Sequence, residues 1–454
     1  MGGGPPTSTG CSRRRGPRLR RSGRGGGPRS IRKGGKVRFA VLADAHIGRR
    51  IPLSVSQYRV EAFSRALSKA VDAIIEAGVD YVFFCGDLFE RRTLRPHLVG
   101  FVHDELYRLA RETMVRHGRE VRILVIRGNH DGRPASNTLD YIKHPLARYL
   151  FVFDEERRVY RDRRVTVVGV GYYDQADRIV GEIVKPALEE EGEGGIRVLM
   201  LHAFVKGYND VPPNAPYVTV DELSEVPVDF IFTGHHHRRG KPKRLRSGAW
   251  LLTPGSLELY DFGEEPPKGL WLVDVDEGSE PQFRWVEVEP MHHMRQVRVK
   301  SERRRPPSWY QERILEAVRE FRGELERLGK EGYLRVVVSG GLSEGFPADI
   351  DLSGVEEMCR EDPRLLYVDV DTMDLELPRL RLPYERERID VAEFFKDFGD
   401  FAQEISEMHA KVREALEEGA SVQTGLLSPS QRRPLIEEWL KRFRERSFRE
   451  VGVE

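Results

Sequence analysis

The sequence of 454 residues contains little cysteine and no long apolar run. Its three cysteines, Cys11, Cys85 and Cys359, are widely spaced and form no CxxC pair. This argues against a disulfide framework and against a zinc site built on thiolates. No apolar run approaches the roughly 18 residues that a membrane span needs, and the N-terminus has no apolar core like that of a signal peptide. We therefore expect a cytoplasmic protein that does not contact membranes.

Acidic residues are missing from the first 36 positions. Residues 1–36 carry eleven Arg and Lys and no Asp or Glu, while the other positions hold 63 basic and 73 acidic residues. The segment is rich in Gly, Arg and Pro without apolar periodicity, which predicts a disordered tail. Two interpretations stay open, an electrostatic arm for phosphate backbones or a stretch ahead of the native translation start. A nucleic-acid surface on the rest of the chain must then be a local basic patch.

From Val37 onward, apolar runs alternate with helical patterns. Helical periodicity at about 60–78 and 97–116 separates the first three strand-like runs. The strand-like runs are 37–43, 81–85, 121–126, 165–170, 197–201, 228–232, 249–252 and 270–275. This order predicts an α/β fold over residues 37–289, a sandwich of two β-sheets flanked by helices.

The pattern changes near Pro290. Two strand-like runs with an amphipathic helical pattern between them predict a small α+β domain over residues 290–382. Residues 383–454 are highly charged and predict two helices, at about 390–418 and 432–446. The chain is thus expected to hold a large α/β domain, a small second domain and a helical end.

Five polar clusters each follow the C-terminal end of a predicted strand. They are Asp44-Ala-His46, Gly86-Asp87, Gly128-Asn-His-Asp131, His202 and Gly234-His-His-His237. Open α/β sheets gather their functional side chains at this edge. A single histidine at a strand end is more often a satisfied polar residue than a ligand. Five clusters at successive strand ends, however, predict a metal site.

The types of candidate ligand narrow the metal and the reaction. Mixed carboxylate, imidazole and amide groups suit manganese, iron or zinc better than calcium, and the lack of thiolates disfavours a structural zinc. Two metals about 3.5–4 Å apart can hold a hydroxide and aim it in line at a phosphorus atom. The clusters therefore indicate hydrolysis of a phosphoester.

The five clusters closely resemble the signature of the calcineurin-like metallophosphoesterases, which reads D-x-H, GD, GNH[DE], H and GHxH. The resemblance implies that Asp87 bridges two metals. It divides the other ligands between them, with Asp44, His46 and His237 at metal one and Asn129, His202 and His235 at metal two. It also implies that His130 is the general acid at the departing oxygen. Asp131 either orients His130 or serves only as a turn residue.

Only two of the three consecutive histidines are expected to bind metal. His235 and His237 share one side of an extended chain, whereas His236 faces the other. We therefore predict a packed or solvent-facing ring for His236. The remaining histidines match no ligand position and are predicted to be structural or surface residues; they are His97, His103, His117, His144, His292, His293 and His409.

The run 252–263, which reads LTPGSLELYDFG, resembles the nuclease subunit of the double-strand-break repair complex, called Mre-eleven in archaea and eukaryotes and SbcD in bacteria. Further support comes from Leu42–Gly48 and Gly86–Phe89, and the resemblance covers roughly 37–370. It implies a nuclease with two Mn²⁺ per subunit, acting on DNA ends as a 3′–5′ exonuclease and single-strand endonuclease. It also implies a nucleoid-associated homodimer in which residues 290–382 form a capping domain that helps hold DNA.

The same resemblance implies a coiled-coil ABC-type ATPase as partner. The chain has no GxxxxGK[ST] of its own, so ATP hydrolysis would come from that partner. Residues 383–454 would bind it through an apolar stripe on a charged helix, formed by Leu435, Ile436, Trp439, Leu440 and Phe443. Packing of this stripe on the preceding helix is the alternative, and we favour docking on the coiled coil.

One position departs from the family pattern. Many relatives carry a histidine, linked to exonuclease action, where this chain has Glu90. The balance between exonuclease and endonuclease activity therefore stays open. Arg91, Arg92 and Arg133 lie next to the motif loops and are candidate phosphate contacts, although solvated charges explain them equally well.

The sequence leaves two other functions open. The first is a phosphoesterase of the same superfamily for nucleotides or phosphoproteins, which would not need the LTPGSLELYDFG run or the C-terminal helices. Protein phosphatases read GDxxDRG and GNHE, whereas this chain reads GDLFE and GNHD. The second is a non-catalytic scaffold, which is disfavoured because all seven ligands and His130 are present.

Overall fold

The computed structural model describes residues 35–189, 195–276, 278–378, 400–419 and 427–450. These ranges fall into two compact units, Met1–Pro378 and Arg379–Glu454. The predictions for residues 1–36 lie almost wholly outside the described residues, as does the predicted boundary at 382. Within the described ranges, no helix combines the length and the apolar character that crossing a membrane requires.

The strands follow the predicted runs and add several short ones. In chain order they are β1 (Val37–Leu42), β2 (Tyr81–Phe84), β3 (Arg122–Val125), β4 (Gly132–Arg133), β5 (Ser136–Asn137), β6 (Leu150–Val152), β7 (Val159–Arg161), β8 (Val165–Val170), β9 (Ile196–His202), β10 (Phe204–Lys206), β11 (Tyr217–Thr219), β12 (Phe230–Gly234), β13 (Lys243–Arg244), β14 (Trp250–Leu252), β15 (Gly269–Val275), β16 (Gln282–Glu287), β17 (His293–Lys300), β18 (Gly332–Gly341) and β19 (Leu365–Glu376).

Helices occupy most of the segments between the longer strands. They are α1 (Ser56–Ala77), α2 (Pro96–His117), α3 (Asp140–Lys143), α4 (Ala176–Arg178), α5 (Lys185–Glu189), α6 (Val220–Ser224), α7 (Pro307–Leu328), α8 (Ser353–Glu361), α9 (Asp400–Gly419) and α10 (Pro429–Glu450). Short 3₁₀ turns lie at Leu53–Val55 and Pro347–Asp349, and a π-helical segment spans Ile179–Val184.

Two six-stranded sheets form the centre of the first unit. One has the order β16-β15-β1-β2-β3-β6 and the other β13-β14-β12-β9-β8-β7. Strands β1, β2, β3 and β6 pair in parallel, and so do β8, β9, β12 and β14. Because parallel strands end at the same edge, each sheet brings several strand tips together.

Side-chain alternation along β1 explains why the sheets stack and the helices lie outside. Phe39 and Val41 join the apolar cluster between the two sheets, whereas Ala40 and Leu42 join the cluster with α1 and α2. The Phe39 ring lies edge-on to Phe83 at 5.1 Å. A third cluster covers the outer face of the second sheet. The predicted α/β sandwich of two sheets flanked by helices is confirmed.

The periodicity of α1 accounts for its packing and its end. Buried apolar residues recur every three or four positions along the helix, which directs one face to the sheet. The helix ends at Gly78, whose φ of 61° is left-handed and whose N–H donates to Ile74 O at 3.2 Å. The predicted C-cap at Gly78 is confirmed, because glycine takes this conformation without a Cβ clash.

Residues beyond β16 form a three-stranded parallel sheet in the order β17-β18-β19, with α7 and α8 packed on it. A smaller apolar cluster joins this lobe to the sandwich. It contains Leu259 and Phe262 from the loop after β14 and Met294 and Tyr333 from the lobe. Arg59 of α1 lies under this contact and donates to Leu259 O at 2.7 Å. The loop 254–263 is therefore held between the two parts.

The second unit contains the helix pair α9 and α10. Lys411 Nζ and Glu438 Oε1 are 2.6 Å apart across the pair. On α10, Ile436, Trp439 and Leu440 are exposed by 55%, 42% and 41%. The side chain of Phe443, the last residue of the predicted stripe, is outside the description. Much of the stripe is thus accessible within this unit.

Candidate metal centre

The predicted ligands come together at one rim of the sandwich, where strand tips of both sheets meet. The first sheet supplies Asp44 and His46 after β1, Asp87 after β2 and Asn129 after β3. The second sheet supplies His202 at the end of β9, and His235 and His237 after β12. Parallel pairing aligns the tips within each sheet; for example, Gly234 pairs with His202.

Unusual backbone conformations aim these side chains inward. Asp44, His46, Asp87 and His235 have φ values of 52°, 44°, 51° and 80°. Non-glycine residues take this left-handed region at a cost of about 1–2 kcal/mol each. Strain of this kind persists where surrounding contacts fix it, and it concentrates at functional sites. Here the N–H groups of Asp44 and His46 donate to Gly86 O at 3.0 Å and Asp87 O at 2.9 Å.

Two glycines allow the loops to approach the ligands closely. A Cβ at Gly128 would lie 2.1 Å from Asp87 Oδ1, and one at Gly86 would lie 2.1 Å from His202 Nδ1. Both contacts are far below van der Waals distance. The glycines of the GD and GNHD motifs are therefore steric requirements of the clustered side chains.

The first ligand cluster contains Asp44, His46 and His237, whose ligand atoms all lie within 4.8 Å of one another. The Nε2 atoms of His46 and His237 are 3.1 Å apart, and Asp87 Oδ2 lies 3.9 Å from His46 Nε2. Two imidazole nitrogens and two carboxylates converge on one point. This set matches the ligands predicted for metal one.

The second cluster contains Asp87, His202 and His235, again within 4.8 Å of one another. His202 Nε2 lies 3.2 Å from Asp87 Oδ2 and 3.1 Å from Asn129 Oδ1. Asn129 therefore joins the set through its amide oxygen. Asp87 lies between the two clusters, as a bridging ligand must.

Three of the histidines contact oxygen atoms through Nδ1, so that Nε2 faces the centre. His202 Nδ1 donates to Cys85 O at 2.7 Å, and His237 Nδ1 donates to Glu264 Oε1 at 2.7 Å. His46 Nδ1 lies 3.1 Å from Glu90 Oε2. Oxygen atoms that can only accept require N–H at Nδ1, which leaves the lone pair on Nε2. Metal-binding histidines are oriented in this way.

The electrostatics of the clusters suit cations. Burial alone would lower the pKa of His202, yet the neighbouring Asp87 carboxylate raises it to about 9. The potential that stabilises an imidazolium there also stabilises a metal ion. Burial, together with His202, lowers the pKa of His235 to about 3, which keeps its imidazole neutral and able to bind metal. These residues fit a pair of divalent cations.

His130 lies beside the clusters but stays more accessible than the ligands. Its side chain is 30% exposed, whereas those of His46 and Asp87 are 0% and 1% exposed. The backbone N–H of His130 donates to Asp87 Oδ1 at 2.8 Å, and the ring Nδ1 lies 3.0 Å from the carbonyl oxygen of Glu90. The ring is therefore held at Nδ1, as a general acid that uses Nε2 would be.

Asp131 supports the loop that carries Asn129 and His130 through bonds to backbone N–H groups. Its carboxylate accepts from Gly128 N at 2.8 Å and from Phe89 N at 2.9 Å. Burial, followed by the charge of Asp87, raises its pKa to about 7. Of the two roles left open for Asp131, these bonds correspond to the turn residue.

Glu90, which in the sequence is only a departure from the family pattern, contacts both His46 and His130. Its side chain is 4% exposed, and its carboxylate lies between His46 Nδ1 and Arg49 Nη1, the latter at 2.8 Å. Its carbonyl oxygen holds His130. Glu90, His46 and His130 also form a third group of potential ligands. We interpret this group as support for the two main clusters, because the Glu90 carboxylate is engaged by Arg49 and His46.

We predict that Glu90→Ala weakens manganese binding by about 10- to 100-fold, the usual effect of losing a carboxylate behind a metal-binding histidine. The physical reason is that His46 loses the acceptor that fixes its ring. Isothermal titration calorimetry with Mn²⁺ measures the change. Glu90→Gln keeps one acceptor oxygen and serves as the matched control, with a smaller loss expected. Unchanged affinity in Glu90→Ala would contradict the supporting role.

A second supporting group was not predicted, since its members come from the loop after the metal motifs. Glu264 Oε2 accepts from Tyr260 N at 2.9 Å and from Lys268 Nζ at 2.6 Å, while its Oε1 holds His237. Burial opposes ionisation of Glu264, but His237 and Lys268 lower its pKa to about 2. Lys268 is 1% exposed and also donates to His237 O.

The Tyr260 ring lies among the site histidines. Its centroid is 4.5 Å from that of His46, 4.7 Å from His237 and 6.0 Å from His130. The guanidinium of Arg49 stacks 3.7 Å from the ring centroid. In the sequence, the resemblance of the LTPGSLELYDFG run to the nuclease family marks this segment, but it assigns no role to Tyr260.

The other predicted residues lie outside the ligand clusters. Arg91 and Arg92 are exposed in the loop that follows Glu90, and Arg133 is exposed in the short strand β4 after Asp131. Among the described residues, the groups of potential metal ligands include none of the other histidines. His236 Nδ1 lies 3.1 Å from the carbonyl oxygen of Arg238. The His236 ring therefore contacts the backbone, whereas the rings of His235 and His237 belong to the ligand clusters.

Two stacked sheets, outer helices and two ligand clusters that share an aspartate at one rim define a dinuclear metallophosphoesterase domain. The family model of the calcineurin-like phosphoesterases matches residues 37–239. These residues form a calcineurin-like phosphoesterase domain.

Curated relatives match part of the chain at low identity. The DNA double-strand break repair protein Mre11 of Methanopyrus kandleri is 25% identical over 287 residues, which cover 59% of this chain and 60% of that protein. Mre11 of Thermoplasma acidophilum is 25% identical over 277 residues, covering 58% and 67%. The uncharacterized metallophosphoesterase YhaO of Bacillus subtilis is 27% identical over 215 residues, covering 46% and 48%. The chain thus spans about half to two thirds of these relatives.

Among solved structures, a dimetal phosphatase from Danio rerio has a TM-score of 0.31 at 14% identity, covering 56% of this chain and all of that one. The calcineurin-like phosphoesterase YfkN of Bacillus subtilis has a TM-score of 0.31 at 13% identity, covering 56% and 89%.

Proposed function

We propose that this chain is the nuclease subunit of a DNA double-strand-break repair complex. It would act on DNA ends as a manganese-dependent 3′–5′ exonuclease and single-strand endonuclease. The observation that carries the proposal is the position of Asp87 between two ligand clusters, next to the accessible His130. Two relatives named as DNA double-strand break repair proteins support DNA as the substrate.

Seven residues would hold the two cations, with Asp87 shared. Bound cations supply Lewis-acid stabilisation of the phosphoryl oxygens. Asp44, His46 and His237 would complete one site, and Asn129, His202 and His235 the other. Glu90, Glu264 and the Cys85 carbonyl keep the imidazoles in the ligating orientation.

His130 would protonate the departing oxygen. In its imidazolium form the ring carries a proton on each nitrogen. The Nδ1 proton is engaged by the Glu90 carbonyl, which leaves the Nε2 proton for the leaving group. A positioned imidazole suits this task near neutral pH. The exposed side chains of Arg91, Arg92 and Arg133 would contact phosphates along the DNA strand.

The C-terminal helices would bind the coiled-coil ABC-type ATPase of the complex. The exposed apolar residues Ile436 and Leu440 on a charged helix support this proposal, because such a stripe fits a groove or a coiled-coil face. We also propose a homodimer. Tyr107, Met114 and Val115 are exposed on α2 by 44%, 41% and 76% and would be covered by a second copy.

We expect deletion of residues 385–454 to abolish capture of the ATPase in a pull-down while the nuclease assay still reports a folded domain. Ile436→Asp combined with Leu440→Asp should have the same effect in the full chain, since each substitution places a charge in an apolar contact. Arg433→Asp, on an exposed position of the same helix, is the matched control. Undiminished capture by the double variant would refute the docking role.

A nucleotide or phosphoprotein phosphoesterase is the second candidate, and the match to the uncharacterized YhaO keeps it open. Purified protein incubated with labelled linear duplex and circular single-stranded DNA separates the two. The nuclease proposal predicts cleavage of both DNAs with Mn²⁺ and none with EDTA. Hydrolysis of nucleotides or phosphopeptides without any cleavage of DNA would contradict it.

A further inference from the structure

Two aromatic rings, Tyr172 and Phe204, lie against His235 at the second ligand cluster. The ring centroids of Phe204 and His235 are 4.3 Å apart, and those of Tyr172 and His235 are 5.3 Å apart. Tyr172 also lies 6.3 Å from His202. Both aromatic side chains are only half-buried. Part of each ring is therefore accessible directly beside the metal ligands.

The backbone that carries Tyr172 is fixed to the loop of the catalytic motif. Tyr172 N donates to Arg127 O at 2.9 Å, and Arg127 Nη2 donates to Tyr172 O at 2.6 Å. Arg127 also donates through Nη1 to Gly132 O at 2.9 Å. One arginine thus fixes the position of Tyr172 relative to the loop that carries Asn129 and His130.

Phe204 is fixed in a similar way. It begins β10, two residues after the ligand His202, and pairs with Tyr217 of β11. Neither Phe204 nor Tyr172 belongs to the apolar clusters that the described residues form. Their positions are therefore not accounted for by packing of the cores.

We propose that Tyr172 and Phe204 form a stacking subsite for an unpaired nucleobase next to the phosphodiester that is cleaved. Aromatic rings bind bases of any sequence, because every base has a π face. The inference rests on the proposed function and deepens it, because it assigns the substrate's base to a defined surface. A base inside a duplex is already paired and stacked, and its release costs a few kcal/mol. The subsite would therefore select single-stranded or frayed ends.

The test compares two oligonucleotides that differ only next to the scissile bond, one with a natural nucleotide and one with an abasic nucleotide. Base stacking on an aromatic side chain is worth about 5- to 150-fold in binding. We expect the wild-type KM for the abasic substrate to be higher by a factor in this range. Tyr172→Ala and Phe204→Leu should each bring the ratio of the two KM values toward one. Tyr172→Phe, which keeps the ring, should retain the wild-type ratio.

The ratio is taken within one variant, so a change in metal occupancy that slows both substrates cancels. Tyr141→Ala removes an aromatic ring of 62% exposure on α3 and is the matched control; its ratio should equal that of the wild type. Quenching of 2-aminopurine at the same position, measured with Mn²⁺ in a His130→Ala background, should decrease when Tyr172→Ala is added.

A wild-type ratio that persists in both Tyr172→Ala and Phe204→Leu would overturn the stacking subsite, even if DNA is cleaved normally. Failure of the proposed function gives a different result. In that case the wild type hydrolyses bis(p-nitrophenyl) phosphate but cleaves neither oligonucleotide. The two failures are therefore distinguishable in one set of assays.

Discussion

Asp87→Asn is expected to abolish metal binding at both sites and with it phosphodiester hydrolysis. Asp87 is 1% exposed and lies 3.2 Å from His202 Nε2 in one cluster and 3.9 Å from His46 Nε2 in the other. The amide keeps the shape of the side chain but removes its charge. We expect a loss of manganese affinity larger than the roughly 10- to 100-fold that follows loss of a supporting residue.

Calorimetry and thermal unfolding measure this loss. Mn²⁺ at 100 times its Kd should stabilise the wild type by about 2.7 kcal/mol, and the corresponding rise in Tm should vanish in Asp87→Asn. Asp162→Asn is the matched control, because this carboxylate accepts from Tyr81 Oη at 2.8 Å and belongs to neither ligand cluster. Manganese stabilisation of Asp87→Asn equal to that of the wild type would contradict a bridging carboxylate.

His130→Ala should lower kcat on DNA by about 10²- to 10⁴-fold, the range for loss of a general acid. Manganese affinity should change little, since His130 is in neither main ligand cluster. Single-turnover cleavage with saturating Mn²⁺ measures the rate of the chemical step. Calorimetry on the same preparation shows whether the metals are bound.

The leaving group tells a general acid from a residue that only shapes the site. A p-nitrophenolate departs without protonation, whereas the alkoxide of DNA needs a proton. We therefore expect a much smaller defect of His130→Ala on bis(p-nitrophenyl) phosphate than on DNA. Equal defects on both substrates would assign His130 a structural role.

Much of the centre could be predicted because its ligands follow apolar runs. Strands β1, β2, β3, β9 and β12 are largely buried and consist mostly of apolar residues, so their ends are visible in the sequence. The polar residues after them then mark the rim. Local signals also fixed the end of α1 at Gly78, where only a left-handed residue fits without strain.

The short strands could not be predicted, because tertiary contacts decide them. Gly132–Arg133 and Ser136–Asn137 pair as β4 and β5 with a sequence that indicates a turn. No helix was predicted over the π-helical segment Ile179–Val184. Strand order within the sheets also depends on pairing between distant segments.

The supporting residues were missed for the same reason. Glu264 is 27 positions from His237, and Glu90 is 44 positions from His46 in the chain, yet both orient a ligand. A carboxylate far away in sequence gives no local pattern. Glu90 was visible only as an exception to a family motif, and its contacts with His46 and Arg49 appear only in three dimensions.

A crystal structure with manganese, with anomalous differences measured at the manganese edge, tests the two-metal centre most directly. The account predicts two peaks about 3.5–4 Å apart, with one carboxylate oxygen of Asp87 near each or shared between them. His237 should bind one ion and His202 the other. A single peak, or two peaks of which one is out of reach of Asp87, would contradict the shared centre.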